Sequence, residues 1–141
     1  MADNKNIMID KNLIEAAKIA RLAAYAPYSK FMVGAAVQSK GGQIFSGCNV
    51  ENISLGLTIC AERSAIAAAI AAGVKDLISV AVVTDSIKPA LPCGACRQVM
   101  AEFNLNMRIV ATTTGGKSEE FELSVLLPKP TQGILERDRD V

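Results

Sequence analysis

Three cysteines constrain this chain more than any other feature of its sequence. Cys60 stands alone ahead of Ala61-Glu62-Arg63. Cys93 and Cys96 form a C-x-x-C pair in Pro92-Cys93-Gly94-Ala95-Cys96-Arg97, 33 residues further on from cysteine to cysteine. Each group opens a predicted helix. A helix N-terminus carries unpaired N–H groups and the positive end of the dipole, and both stabilise a thiolate. The spacing of three puts the sulfurs of Cys93 and Cys96 on one first turn, where they can converge on one ion. Cys60 supplies a third sulfur from the other helix. The fold must therefore bring two helix N-termini to one point.

The chain has no histidine. A metal site must be built from Cys, Asp and Glu, and a proton carrier near neutral pH must be a carboxylate, a thiol, a lysine or metal-activated water. Three protein ligands leave one tetrahedral position open, the pattern of a catalytic zinc rather than a closed structural one. Glu62, two residues from Cys60, is placed to touch a water in that position without being a ligand. Three zinc-bound thiolates carry one negative charge in excess, which an adjacent guanidinium, Arg63, can offset by hydrogen-bonding the sulfurs. Two other readings compete. A redox dithiol at Cys93 and Cys96 would leave Cys60-Ala61-Glu62 without a role. A closed four-cysteine zinc site is usually built from two C-x-x-C knuckles, whereas Cys48 and Cys60 are twelve apart. Cys48, at the end of a predicted strand, reads as a small buried hydrophobe.

The balance of the sequence narrows the partners. Net charge is +1, and no strong basic field exists on which nucleic-acid affinity could rest. Half the residues are hydrophobic, which excludes disorder as the main state. There is no 18-residue apolar run, so no membrane partner is expected. No export signal is visible at Met1-Ala2-Asp3-Asn4-Lys5-Asn6, and the cysteines read as reduced thiols, so a cytoplasmic location is expected.

The order of predicted elements is α-β-β-α-β-α-β-β. A loose arm over 1–9 leads to a helix capped by Asp10 and stopped at Pro27. Phe31 to Gln38 and Gln43 to Cys48 form a hairpin, and Ala61 to Ala72 is a helix ended by Gly73. Leu77 to Thr84 is a continuous apolar run, as in a strand covered on both faces. A helix over Gly94 to Phe103, strands at Met107 to Thr112 and Ser118 to Leu123, and a helical turn at 125–127 follow. This predicts an α/β fold, a three-layer α-β-α sandwich with a mixed five-stranded sheet. Residues 1–141 read as one domain, with a loose arm at 1–9 and a tail at about 129–141.

These motifs resemble those of a known family. Cys60-Ala61-Glu62 followed by Pro92-Cys93-x-x-Cys96 is similar to the signature of the zinc-dependent cytidine deaminase superfamily. The segments Ala26-Pro27-Tyr28-Ser29-Lys30-Phe31, Val33-Gly34-Ala35-Ala36, Gly47-Cys48-Asn49-Val50-Glu51-Asn52 and Cys96-Arg97-Gln98-Val99 resemble the small homotetrameric cytidine deaminases of nucleoside salvage. The likeness runs from about residue 10 to Pro128. It implies one Zn²⁺ per chain held by Cys60, Cys93 and Cys96, with Glu62 as the proton shuttle. It implies that Phe31 packs on the pyrimidine ring, that Asn49 and Glu51 hold the ribose 3′-hydroxyl, and that the Ala61 N–H meets the base carbonyl. It also implies a homotetramer with sites at subunit boundaries. Two positions depart from the family: Leu55 stands where an aromatic is usual, and no aromatic follows Leu126-Leu127-Pro128.

The implied reaction is hydrolytic deamination of cytidine and deoxycytidine to uridine and deoxyuridine, with release of ammonia. Alternatives are a deaminase of a modified cytosine nucleoside or of blasticidin S, and a zinc-stabilised binding module without catalysis. Glu62 and a cluster of only three cysteines weigh against the last.

Overall fold

The computed structural model describes residues 4–132, with side chains from residue 11 onward. Helix α1 (Asn4–Arg21) leads to the hairpin β1 (Val33–Ser39) and β2 (Ile44–Cys48). A 3₁₀ turn at Leu55–Leu57 precedes α2 (Ala61–Ala71). Then come β3 (Leu77–Thr84), α3 (Gly94–Phe103), β4 (Arg108–Thr113), β5 (Ser118–Glu122) and the short α4 (Leu123–Leu126).

The five strands form one sheet in the order β2-β1-β3-β4-β5. β1 is antiparallel to both β2 and β3, β3 and β4 are parallel, and β4 and β5 are antiparallel. The sheet is mixed, as expected. The parallel pair is joined through α3, the crossover that a parallel connection requires.

Strand alternation divides the core in two. Ala35, Val37, Val80, Val82 and Ile109 face one side, where they pack with Ala61, Ala65, Cys96 and Met100 of α2 and α3. Ala36, Ala81 and Val83 face the other, under Leu13 and Ala17 of α1. The small residues set the layer spacing. A Cβ at Gly34 would lie 1.9 Å from the Ala17 carbonyl oxygen, and one at Gly47 would lie 2.4 Å from the Ala65 nitrogen. Helices α1 and α2 thus rest with their backbones directly on β1 and β2, and any side chain there forces them off.

One expectation is corrected. The helix begins at Asn4, inside the segment read as a loose arm, and Asp10 lies within it rather than capping it. Residues 4–10 contain no glycine or proline, so nothing in them stops the helix from extending back past the aspartate. The expected tail falls mostly at 133–141, outside the described residues, as do residues 1–3 of the arm. No helix among the described residues is long and apolar enough to cross a membrane.

Candidate active site

Cys60 occupies the N-cap position of α2, and Cys93 that of α3, both with extended backbone. Neither sulfur caps its own helix. Cys96 sits one turn into α3 and is buried. The three sulfurs lie within 4.8 Å of one another, with Cys60 Sγ and Cys93 Sγ 3.9 Å apart. Zinc–sulfur bonds of about 2.3 Å in a tetrahedron put neighbouring sulfurs about 3.8 Å apart. The donor set and its spacing therefore fit zinc. Cys48 is not part of the cluster.

The charges around the sulfurs favour an anion. The Cys60 thiol is pulled down to about 5, first by its hydrogen bond with Cys96, then by Arg63 and Cys93, against the opposing effect of burial. Cys96 is pushed up by that same bond with Cys60 and by burial, so Cys60 ionises first. Arg63 places Nη2 3.5 Å from Cys60 Sγ and 3.4 Å from the Thr58 carbonyl oxygen. Its Nε is buried without a partner among the described residues. The guanidinium thus stands within reach of the Cys60 sulfur. Arg97 fixes the approach to Cys93 from the other side: its Nε donates to the Pro92 carbonyl at 2.8 Å and its Nη1 to the Leu126 carbonyl at 3.1 Å.

Glu62 is 4% exposed, on the first turn of α2. Burial raises its pKa above the ordinary carboxylate value. It lines a cavity of about 260 Å³ together with Cys60, Ala61 and Cys93. The Ala61 N–H lies in the first turn of α2, where backbone donors have no partner within the helix.

The opposite wall comes from the loop before β1 and from the strand-like segment after β2. Phe31, 44% exposed, lines the cavity, as do Asn49 and Glu51. Val50 makes bridges to Tyr25 and to Ile59, which holds residues 49–51 extended and turns Asn49 and Glu51 to the same side. The Asn49 amide also has structural duties. Its Oδ1 accepts from the Val33 N–H at 2.9 Å and its Nδ2 donates to the Phe31 carbonyl at 2.7 Å, leaving one N–H. Glu51 Oε1 accepts from the amides of Tyr28 and Ser29. Phe31, Asn49, Glu51, Cys60, Ala61, Glu62 and Cys93 thus meet at one cavity, while Cys96 and Arg63 lie outside its lining and reach it through the sulfur of Cys60. Sequence reasoning assigned no part to Ser29 and Thr84, which also line it. Thr84 had a usable signal, a hydroxyl closing the apolar run Val80 to Val83. Its Oγ1 pairs with Ser86 Oγ at 2.6 Å.

Residues 8–113 match the cytidine and deoxycytidylate deaminase zinc-binding region. The chain belongs to this family. A cytidine deaminase of Sporosarcina psychrophila is 48% identical over 119 residues, spanning 84% of this chain and 88% of that protein. One from Halalkalibacterium halodurans is 47% identical over 117 residues, 82% of this chain and 89% of its own. The crystal structure of cytidine deaminase from Burkholderia pseudomallei superposes with a TM-score of 0.81 at 48% identity, covering 84% of this chain and 96% of the other. The three-layer fold and the zinc-binding deaminase character expected from the sequence therefore hold, and the Cys60, Cys93 and Cys96 cluster is where this deaminase domain can hold its metal.

Proposed function

We infer that the protein is a hydrolase that converts cytidine and deoxycytidine to uridine and deoxyuridine, releasing ammonia. The observation that carries this reading is the buried Glu62 carboxyl, which lines one cavity with Cys60 and Cys93 beside the cluster of three converging thiols. Cys60, Cys93 and Cys96 would hold one Zn²⁺ per chain. Zinc supplies a Lewis acid that makes water a usable nucleophile near neutral pH. Arg63 offsets the negative charge of the sulfurs and so preserves that acidity.

The chain's own residues account for the rest. Glu62 takes a proton from the attacking water and delivers it to ring N3, which makes C4 electrophilic. As the C4–oxygen bond forms and the C4–nitrogen bond breaks, Glu62 carries the remaining proton to the departing amino group. Its burial suits both halves of the task, because a carboxyl with a raised pKa can hold the proton between steps. Phe31 lies against the pyrimidine. The Ala61 N–H donates to the base carbonyl, and Glu51 with the remaining Asn49 N–H grips the sugar 3′-hydroxyl. Neither of these reads the 2′ position, so both sugars are accepted.

The active form is a homotetramer in the cytoplasm, in the salvage of pyrimidine nucleosides. Leu55, 71% exposed, stands with the exposed Ile53 and Leu57 on the segment leading into Cys60. Water-facing apolar side chains at that density suit a surface covered by another copy. Four free cysteines suit a reducing compartment.

Ammonia release from cytidine, deoxycytidine, free cytosine, cytidine monophosphate and blasticidin S, measured in parallel, tests the reading. Cytidine and deoxycytidine should be turned over well and the others poorly. Efficient turnover of blasticidin S with neglect of cytidine would overturn it.

A further inference from the structure

Glu51 does not stand free in its loop. Its Oε1 accepts from the Tyr28 amide at 3.0 Å and from the Ser29 amide at 3.2 Å. The hydroxyl of Ser29 is the strongest influence holding the Glu51 carboxyl below the ordinary value, ahead of those two amides. The same hydroxyl oxygen accepts from the Phe31 amide at 3.0 Å. A serine hydroxyl has one donor and two acceptor sites, so it can donate to a carboxylate while accepting from an amide. Lys30, between Ser29 and Phe31, adopts φ 62°, in the left-handed region that a lysine side chain disfavours. Its own amide returns to the Ala26 carbonyl at 3.0 Å. The chain is thus bent back at Lys30, and Ser29 is the side chain that spans the bend.

Ser29 is exposed and lines the cavity, so it is not there to fill a core. Phe31 and Glu51 come from different segments, joined by this loop, by Asn49 and by the Glu51 N–H donating to the Tyr25 carbonyl. Asn49 ties down the carbonyl of Phe31, while Ser29 ties down its amide. We propose that Ser29 is a positioning residue that fixes the Glu51 carboxylate and the Phe31 ring relative to one another, and so sets recognition of the sugar 3′-hydroxyl. The proposal rests on Glu51 gripping that hydroxyl, the reading given above.

The zinc-loaded protein and its Ser29→Ala, Ser29→Thr, Ser29→Val and Glu51→Ala variants are assayed for kcat and KM on cytidine and on 3′-deoxycytidine. Thr and Val share a shape and differ by the hydroxyl alone. The Ala and Val variants should lose about tenfold in kcat/KM on cytidine, the scale of one hydrogen bond to a charged group. On 3′-deoxycytidine they should change little, so the preference between the two nucleosides collapses. The Thr variant should keep the preference. A wild-type preference in both the Ala and Val variants overturns the proposal, and so does an equal loss on both substrates, which a merely structural role produces. The Glu51→Ala arm separates the two claims. A preference that survives in Glu51→Ala sinks the sugar reading itself. A preference lost in Glu51→Ala but kept in Ser29→Ala and Ser29→Val overturns the role of Ser29 alone.

Discussion

Cys60 Sγ and Cys93 Sγ stand 3.9 Å apart, although 33 residues separate them along the chain. The meeting depends on the sheet. β3 runs between α2 and α3 and returns the chain to the same edge of the molecule, so both helices present their N-termini to one point. Each cysteine sits at an N-cap without capping its own helix, which leaves both sulfurs available to each other. The Cys96 thiol, Arg63 and Cys93 then act on the Cys60 sulfur, which is why its anionic form is favoured.

Metal content separates the cysteines. The wild-type protein should carry one zinc per chain by elemental analysis. Cys93→Ala should fall to nearly none, because two thiolates hold zinc poorly against water. Cys48→Ala should keep the full complement, since Cys48 lies outside the cluster. A metal-free Cys48→Ala protein would contradict the three-ligand site.

Backbone contact between α1 and β1 predicts a stability effect far from the chemistry. Gly34→Ala places a Cβ 1.9 Å from the Ala17 carbonyl oxygen, and no flexible side chain there can give way. Overpacking of this kind costs about 1–3 kcal/mol and occasionally more. The variant should unfold at a clearly lower temperature or denaturant concentration. Unchanged thermal unfolding would mean that α1 does not rest on β1 as described.

Much of this was legible in the sequence, and what was not has physical causes. β3 and α3 were expected at their observed bounds, because a continuous apolar run and a Gly-to-Phe helix after Pro-Cys leave little choice. The cysteine cluster was legible because a lone thiol and a C-x-x-C pair, each opening a helix, suit a shared metal better than they suit packing. The start of α1 was missed because a capping residue such as Asp10 is a local signal that a longer helix simply runs through. The duties of Asn49 and Ser29 were hidden because their partners are distant: the Asn49 amide serves main-chain atoms 16 and 18 residues away, and the Ser29 amide reaches Glu51 across 22. No periodicity reports such contacts.

Association should be measurable directly. Light scattering should give a mass near four times 14.9 kDa. Leu57→Asp, which puts a charge into the exposed apolar segment, should shift the population to smaller species and reduce activity with it. A fully active wild-type monomer, independent of concentration, would show that each site is complete in one chain.

The most direct test of the account is ammonia release from cytidine by zinc-loaded Glu62→Gln, compared with wild type at matched zinc content. The amide preserves size and burial but cannot shuttle a proton. Loss of a general acid/base costs ~10²–10⁴-fold, and Glu62 serves several transfers in one turnover, so a fall in kcat of about 10⁴-fold is predicted, with one zinc per chain and unfolding like that of wild type. A kcat within a few-fold of wild type would place the proton carrier elsewhere and contradict the account at its centre.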